Sequence, residues 1–574
     1  MTPHDALALR VLGALLREDV LGLRTRSTPV DRADGRWLRL DARPTAVFAL
    51  AVAPDGFQCE YAVRRPLLEV DGVQLTDLDA MLAALATAAD PADRPGHLAF
   101  AEECRQTLAT MLLHEGHQPD VHEQLAKRYG SDPADWTGLG DSLAFDTLAA
   151  FLDHPVYPTA RGRSGLTDDQ VVGYTPEFHP SFELRWLAVP QGALTVHGDA
   201  PLPDWWPTPA TLGLSRLGGD HLTIPVHPLS VGTPLTQALA QAGLTGRAVL
   251  AERPYLEVVP TLSTRTVAVA ADPAVHLKLP LATATLGLRN RRTIKPGTLR
   301  DGAAGQRLLA AVIEREPRFR PSILLADEQC YAHADHELLA VLARRQPACL
   351  ADSVTLPLAA LAAPAPSGRL VLDHLADRFH AGDPIALYDD LLTLLLDWQT
   401  TLFGYGIALE SHQQNTSLVL DRHEGRTRMR LLYKDNDGLR VHTPRALARL
   451  GQQSLAVQEF DDARIFGTED RALTDLFATI TGHLCTASLA FALAEPGRSP
   501  LEHTLGLLRA RLTEALDRLG PAGDPLRAAL LTADRLPVKA MVTAGTLLSK
   551  ERSGATDVNK HYTTGPNYLL MSGT

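Results

Sequence analysis

An apolar hairpin with polar clusters at both of its open ends constrains this sequence more than any other feature. Residues 417–420 and 427–433 read as two strands around a turn at His423-Glu424-Gly425. In an antiparallel hairpin the start of the first strand lies beside the end of the second. Glu410, His412, Gln414 and Asn415 should therefore meet Lys434, Asp435 and Asp437 at one end of one sheet. Carboxylates, an imidazole, amides and a lysine then converge. Asp435 and Asp437, two residues apart with Glu410 nearby, suit a hard cation such as Mg²⁺ bridging phosphates. Taken alone, Asp-Asn-Asp-Gly reads as an ordinary loop; its pairing with 410–415 favours a site.

A second group of strands spans 255–259, 266–270 and 275–281, with a tight turn at Ala271-Asp272-Pro273. With Asp272 in the turn, Thr266 falls roughly opposite Lys278. Ser263, Thr264, Arg265, Thr266 and Lys278, with Arg289 further on, then offer hydroxyls, guanidinium groups and an ammonium. Such a set matches a triphosphate, since Arg binds bidentately and Lys supplies a point charge. The competing reading is an exposed polar strand face. A third stretch, 153–165, sets His154, Arg161 and Arg163 in a loop restrained by glycine and proline. It could hold carboxylates, or serve as a basic linker between domains. Neither GxxxxGK[ST] nor GxGxxG precedes a helix, and no GxSxG occurs, so a P-loop, a Rossmann site and a serine hydrolase have no anchor. His114, His117 and His122 lack HExxH spacing and read as surface residues.

With 574 residues the chain exceeds a single core. Residues 1–150 read mostly as helices, with apolar spacing at 78–89, 98–114 and 142–152. Residues 151–360 are richer in short strands. Residues 361–574 begin with an Ala-Pro-Ala-Pro loop at 363–366, then a helix with Asp383 as N-cap, Pro384 at its first position and Gly404 as terminator. The fold class is therefore α+β. The tail from Ser549 onward receives no assignment. A formal net charge of −12 argues against nucleic acid or an anionic membrane as partner. The five scattered cysteines form no CxxC pair, and the odd count fits a reducing compartment. No apolar leader segment opens the chain, and the most apolar helix, near 391–396, is too short to span a bilayer. A cytoplasmic protein is expected.

In their order, these stretches resemble the siderophore synthetases that work without nonribosomal peptide synthetases, the aerobactin-synthetase (IucA/IucC-like) family. Its GHPxHPxxKxRxG loop is matched at His154, Pro155, Pro158, Arg163 and Gly165. Asp153 replaces a glycine, Tyr157 a histidine and Arg161 a lysine. Ser-Thr-Arg-Thr stands unchanged at 263–266, and Lys278 and Thr285-to-Arg289 look like the elements that follow it. The E-x-H-x-Q-N segment is intact at Glu410, His412, Gln414 and Asn415. Lys434-Asp435 resembles the family's later Arg-Asp, and 536–540 a further segment. The resemblance implies a cupped hand: a helical thumb (1–150), fingers (151–360) and a palm (361–574) with antiparallel sheets surrounded by helices. It implies ATP and Mg²⁺ as cofactors, a carboxylate such as citrate that is adenylated, an amine or alcohol that displaces AMP, and a homodimer by family habit. It places Ser263, Thr264, Arg265, Thr266, Lys278, Arg289, His412, Gln414 and Asn415 on the nucleotide. Of these, Arg265, Lys278, Arg289 and His412 would be catalytic. Glu410, Asp435 and Asp437 would hold the metal, and His154, Arg161 and Arg163 the acid. The rival readings are a kinase-like phosphotransferase, which would yield ADP, and a degenerate carboxylate or siderophore binder. The kinase reading is weakened because HRDxxxxN and DFG are both missing.

Overall fold

The computed structural model describes residues 1–198, 201–494, 498–554 and 561–571. The stretches 555–560 and 572–574 of the polar tail lie outside the described residues. The part of the tail that is described contains a strand, Tyr562–Pro566, paired antiparallel with Arg535–Lys539.

The first 150 residues are not uniformly helical. The expected helices exist as Leu78–Ala88, Leu143–Ala150 and part of the long helix Arg94–Tyr129. Before them, however, six strands between Thr28–Arg32 and Val73–Leu75 form one sheet. Most of these strands are too short to show a period. The longest, Val47–Pro54, is a continuous apolar run of the kind that period alone cannot assign.

The middle of the chain folds around a nine-stranded sheet. The strands Tyr255–Pro260, Thr266–Val269 and Asp272–Lys278 run antiparallel, and Thr266 pairs directly with Lys278. The turn is at Ala270-Ala271 rather than 271–273: Asp272 already pairs with Val269, and a register shift between Ala268 and Val269 brings Thr266 opposite Lys278. Asp272–Lys278 pairs in turn with Ala340–Arg345, and that strand with Asp327–His333. This sheet packs on its own apolar cluster, Leu184 to Val341. Residues of the N-terminal part, such as Leu12 and Phe145, instead share one cluster with Leu395, Leu418 and Leu512 from the C-terminal half.

That half is built on the expected hairpin. Thr416–His423 and Arg426–Tyr433 pair from Thr416↔Tyr433 to His423↔Arg426. Behind it lies the helix Pro384–Gly404, whose N-cap Asp383 accepts the N–H groups of Ile385 and Ala386 at 2.9 and 3.0 Å. The 363–366 segment is no exposed linker, for Ala363 and Ala365 are buried in the main core. Besides the apolar run at 391–396, a longer apolar helical stretch spans Asp470–Leu493. It is long and apolar enough to cross a membrane, yet 78% of its apolar window is buried inside the fold, as suits a core helix.

Candidate functional site

The hairpin closes the first half of the site. Lys434 N donates to the Asn415 carbonyl at 3.1 Å, so 410–415 and 434–438 lie side by side. Glu410 packs so closely over Gly438 that a Cβ there would stand 2.6 Å from its Oε2. Asp435 adopts a left-handed φ of +57°, which Asp tolerates better than most residues. Two cations share its Oδ1: Lys278 Nζ donates at 2.6 Å and Arg344 Nη2 at 2.5 Å. Burial alone would raise the Asp435 pKa. Arg344 and Lys278 outweigh it and hold the carboxyl well below the usual range.

The nine-stranded sheet supplies the opposite wall. Pairing of Thr266 with Lys278 sets the 263–265 turn beside the ammonium. Arg265 is anchored by Nη1 donating to the Thr293 carbonyl at 2.7 Å. Ser263, Thr264, Arg265 and Lys278 face one cavity of about 370 Å³, together with His154, Arg163, Arg292, Glu410, His412, Gln414, Asn415, Asp435, Asp437 and Lys539. Polar segments far apart in the sequence, at 153–163, 263–292 and 410–437, thus line a single pocket. Leu262, Leu281, Ile480, Leu484 and Met541 add an apolar wall.

Two histidines enter this pocket as neutral donors. The Nδ1 of His154 accepts the N–H groups of Val156 and Tyr157 at 3.2 and 3.0 Å. That leaves the proton on Nε2. Burial, with His412, Arg10 and Arg17 nearby, pulls its pKa down to about 3. His412 Nδ1 accepts Gln414 N at 3.3 Å, and burial lowers its pKa as well. Arg163 donates to the buried Glu177 at 2.6 Å.

Several expected residues are placed elsewhere. Arg289 is not on the pocket: it donates to the carbonyls of Ala544, Thr546 and Leu548 and so ties down the end of the helix Thr543–Leu547. The loop after Leu281 doubles back, with Arg292 N donating to the Thr283 carbonyl and Ala284 bridging Arg291. This folding brings Arg292, not Arg289, to the cavity wall, where its Nε donates to Thr285 Oγ1. Arg161 is spent on Asp153 at 2.8 Å and is not among the lining residues. Thr266 is buried in its strand, and its hydroxyl accepts from Ser263 at 2.9 Å. The 153–165 loop is not a linker. Tyr157 and Thr159 are buried and donate to Glu103 at 2.9 and 2.5 Å. His114 is buried rather than on the surface, and burial takes its pKa to about 4.

The proposed metal group is also altered. Glu410 accepts from Lys539 at 3.3 Å and Asp435 is held by Lys278 and Arg344. Among the described residues no group of three or more His, Cys, Asp or Glu side chains is arranged to hold an ion. A resident metal does not fit, because cations of the protein already hold Glu410 and Asp435, leaving only Asp437, with Lys278 4.0 Å away. The donor set does fit Mg²⁺ arriving with a nucleotide, which uses one or two carboxylates and takes its other ligands from phosphates and water.

Sequence reasoning missed Arg292, Arg344 and Glu328. Arg292 sits in an Arg-Asn-Arg-Arg run in which spacing could not choose. Arg344 carried one weak signal, a charged residue ending an apolar strand, whereas Glu328 sits in the polar run Asp327-Glu328-Gln329 and carried none. Both are about 2% exposed or less, and Arg344 Nε donates to Glu328 Oε1 at 2.7 Å.

Comparison with known proteins bears on the same segments. The IucA/IucC family profile matches residues 141–363, and the profile described as ferric iron reductase FhuF-like transporter matches 391–553. Staphyloferrin A synthase of Staphylococcus aureus is 24% identical over 324 residues, 52% of this chain and 53% of that protein. The L-2,3-diaminopropanoate–citrate ligase of the same organism is 30% identical over 149 residues, 25% of each chain. The chain thus spans about half or less of the length of these two relatives. Among solved structures, ATP-bound aerobactin synthetase IucA of Klebsiella pneumoniae superposes with a TM-score of 0.69 at 18% identity, covering 99% of this chain and 100% of that one. The petrobactin biosynthesis protein AsbB of Bacillus anthracis gives 0.73 at 16%, covering 98% and 95%.

Proposed function

We propose that the chain is an ATP-dependent ligase of the IucA/IucC type, a reading supported by the IucA/IucC family profile that matches residues 141–363 and by the fold it shares with ATP-bound aerobactin synthetase IucA. It adenylates a carboxylic acid, citrate or a citrate derivative, and joins it to an amine or alcohol with release of AMP and pyrophosphate. The observation that carries this reading is the single cavity shared by Ser263–Arg265, Lys278, Arg292, His412 and Asp435. The names of the relatives, one of which is a citrate ligase, point to the same chemistry.

The physical difficulty is that one anion must approach another. Arg265, Lys278 and Arg292 supply positive charge along one wall, where it opposes the charge that builds up during attack on the α-phosphate. The Ser263 and Thr264 hydroxyls bond the outer phosphates. Mg²⁺ bound with ATP would use Asp435 and Asp437, with Glu410 at the rim, and would neutralise phosphate charge. His412 Nε2–H, Gln414 and Asn415 orient the nucleotide. His154 Nε2–H, Arg163 and Lys539 face the organic acid. The acyl carbon is then open to attack, and AMP leaves. No side chain is needed as base for an amine that arrives unprotonated. The reaction takes place in the cytoplasm, where ATP is abundant.

Of the departures in the 153–165 loop that favour a degenerate binder, Tyr157 and Arg161 contact Glu103 and Asp153 instead of the cavity. Asp153 does line the cavity, and Arg161 balances its charge. The test is a pyrophosphate-release screen of di- and tricarboxylates against polyamines, diamino acids and amino alcohols, with mass spectrometry of the product. Acid-dependent AMP and pyrophosphate are expected. ADP as the nucleotide product would replace this reading with a phosphotransferase. Arg265→Ala should cost about 100-fold or more in rate, on the scale of losing one preorganised charged donor.

A further inference from the structure

Asp435 is gripped by two cations of different character. Lys278 lines the cavity; Arg344 does not. Lys278 Nζ also lies 4.0 Å from Asp437, and its flexible ammonium can turn toward a new anion. Arg344 cannot turn. It is 1% exposed, and its Nε and Nη2 bridge Glu328 Oε1 at 2.7 Å and Asp435 Oδ1 at 2.5 Å. Glu328 does more than balance Arg344. It accepts Asp435 N at 2.8 Å and Asn436 N at 3.3 Å, so the same carboxylate holds the backbone of the turn. Glu328 and Arg344 lie on the neighbouring strands Asp327–His333 and Ala340–Arg345 of the fingers sheet, whereas Asp435 follows the palm hairpin.

We propose that Glu328 and Arg344 form a positioning pair that fixes Asp435 while Lys278 leaves it for the nucleotide, so that the carboxylate is delivered to the metal ion of a metal–nucleotide complex. This rests on the reading of the cavity as an ATP site. Charge counting supports the division of labour. Glu328, Arg344 and Asp435 together carry one negative charge, which Lys278 cancels in the empty site. When a triphosphate attracts Lys278, Asp435 keeps Arg344 as its one bonded cation and faces the phosphates beside Asp437, where a cation relieves the repulsion. Without Arg344 the carboxylate would be repelled by the phosphates and lose its anchor to the sheet. Arg265 contributes further positive potential to Asp435, but its guanidinium is bonded to Thr293 and not to the carboxylate.

The experiment is calorimetric titration of the full chain with ATP, in Mg²⁺ and in EDTA, for the wild type and Arg344→Met, Arg344→Lys, Glu328→Gln and Lys278→Met. No turnover is required, so a wild type that binds Mg²⁺·ATP but releases no pyrophosphate refutes the ligase reading and leaves this test intact. Arg344→Met should weaken binding about tenfold or more in Mg²⁺ and about twofold or less in EDTA. Arg344→Lys should recover part of the loss. Lys278→Met should weaken binding in both. Hydrogen exchange at the Asp435 and Asn436 amides, read on the same variants without nucleotide, should accelerate in Glu328→Gln. If Arg344→Met does not fold, Glu328→Gln carries the same comparison. Equal losses with and without Mg²⁺, or none in either, would overturn the proposal, as would a wild type that binds no ATP.

Discussion

Removing Arg292 should make the empty protein more stable and the nucleotide complex weaker. Its guanidinium lies on the cavity wall with Thr285 Oγ1 as hydrogen-bond acceptor, and among the described residues no carboxylate pairs with it. Burial, followed by the neighbouring Arg265 and Arg163, pulls its pKa from 12.5 down to about 9. It stays charged at neutral pH, at a cost. At about 1.4 kcal/mol per unit, full exclusion of water would set that cost near 5 kcal/mol; its remaining contact with water screens part of it and leaves about 2–3 kcal/mol. An anion in the cavity recovers this energy. Arg292→Met should therefore raise the dissociation constant for ATP by about 30–150-fold, at 1.4 kcal/mol per tenfold. The same change should raise the ligand-free melting temperature, because a strained cation is gone. Arg289→Met should do the opposite: it loses the bonds to the carbonyls of Ala544, Thr546 and Leu548, so it lowers the melting temperature and leaves affinity near wild type. Calorimetry with ATP and thermal unfolding of both variants give the answer. If Arg292→Met melts lower and binds normally while Arg289→Met loses ATP, the placement of the loop and the electrostatic reasoning both fail.

Other consequences follow from the same structure. Glu103→Leu strands three buried hydroxyls, on Tyr157, Thr159 and Thr546. It should cost about 3 kcal/mol or more, and a urea midpoint equal to wild type would contradict it. Six histidines are held neutral by burial, with pKa values of about 3 (His154, His227, His276) or about 4 (His114, His179, His483). Their folded values lie below the ordinary 6.5, so the unfolded chain binds more protons, and stability is lost as pH falls from about 6.5 toward 4. Melting temperature should drop by several degrees between pH 7 and 5; a flat profile would count against it. Asp435→Ala should cut pyrophosphate release sharply, with partial recovery at high Mg²⁺. No recovery and unchanged Mg²⁺·ATP binding would remove the metal role. Gly305→Ala places a Cβ 2.4 Å from the Asn436 carbonyl and should weaken Mg²⁺·ATP binding by displacing the turn that carries Asp435. Wild-type affinity in that variant would show the turn to be slack.

Where local pattern and chain reversal were enough, the site was readable. The meeting of 410–415 with 434–438 followed from the hairpin turn at 423–425, and Thr266 does fall opposite Lys278, although a register shift between Ala268 and Val269 rather than a turn centred on Asp272 puts it there. The helix from Pro384 to Gly404 was written in its cap and its first proline. The early strands were missed because three to eight residues carry little periodic signal.

The sequence by itself determined which polar groups each hairpin collects at its end, because pairing within a hairpin is a matter of near neighbours and a period of two. Only the tertiary structure decided which arginine of a crowded run faces the cavity, which carboxylates arrive already neutralised, and that Arg344 and Glu328 stand behind Asp435. Those outcomes depend on how sheets separated by many residues are brought together. Whether a charge is free or paired is then settled by distances of a few ångströms, which no spacing along the chain specifies.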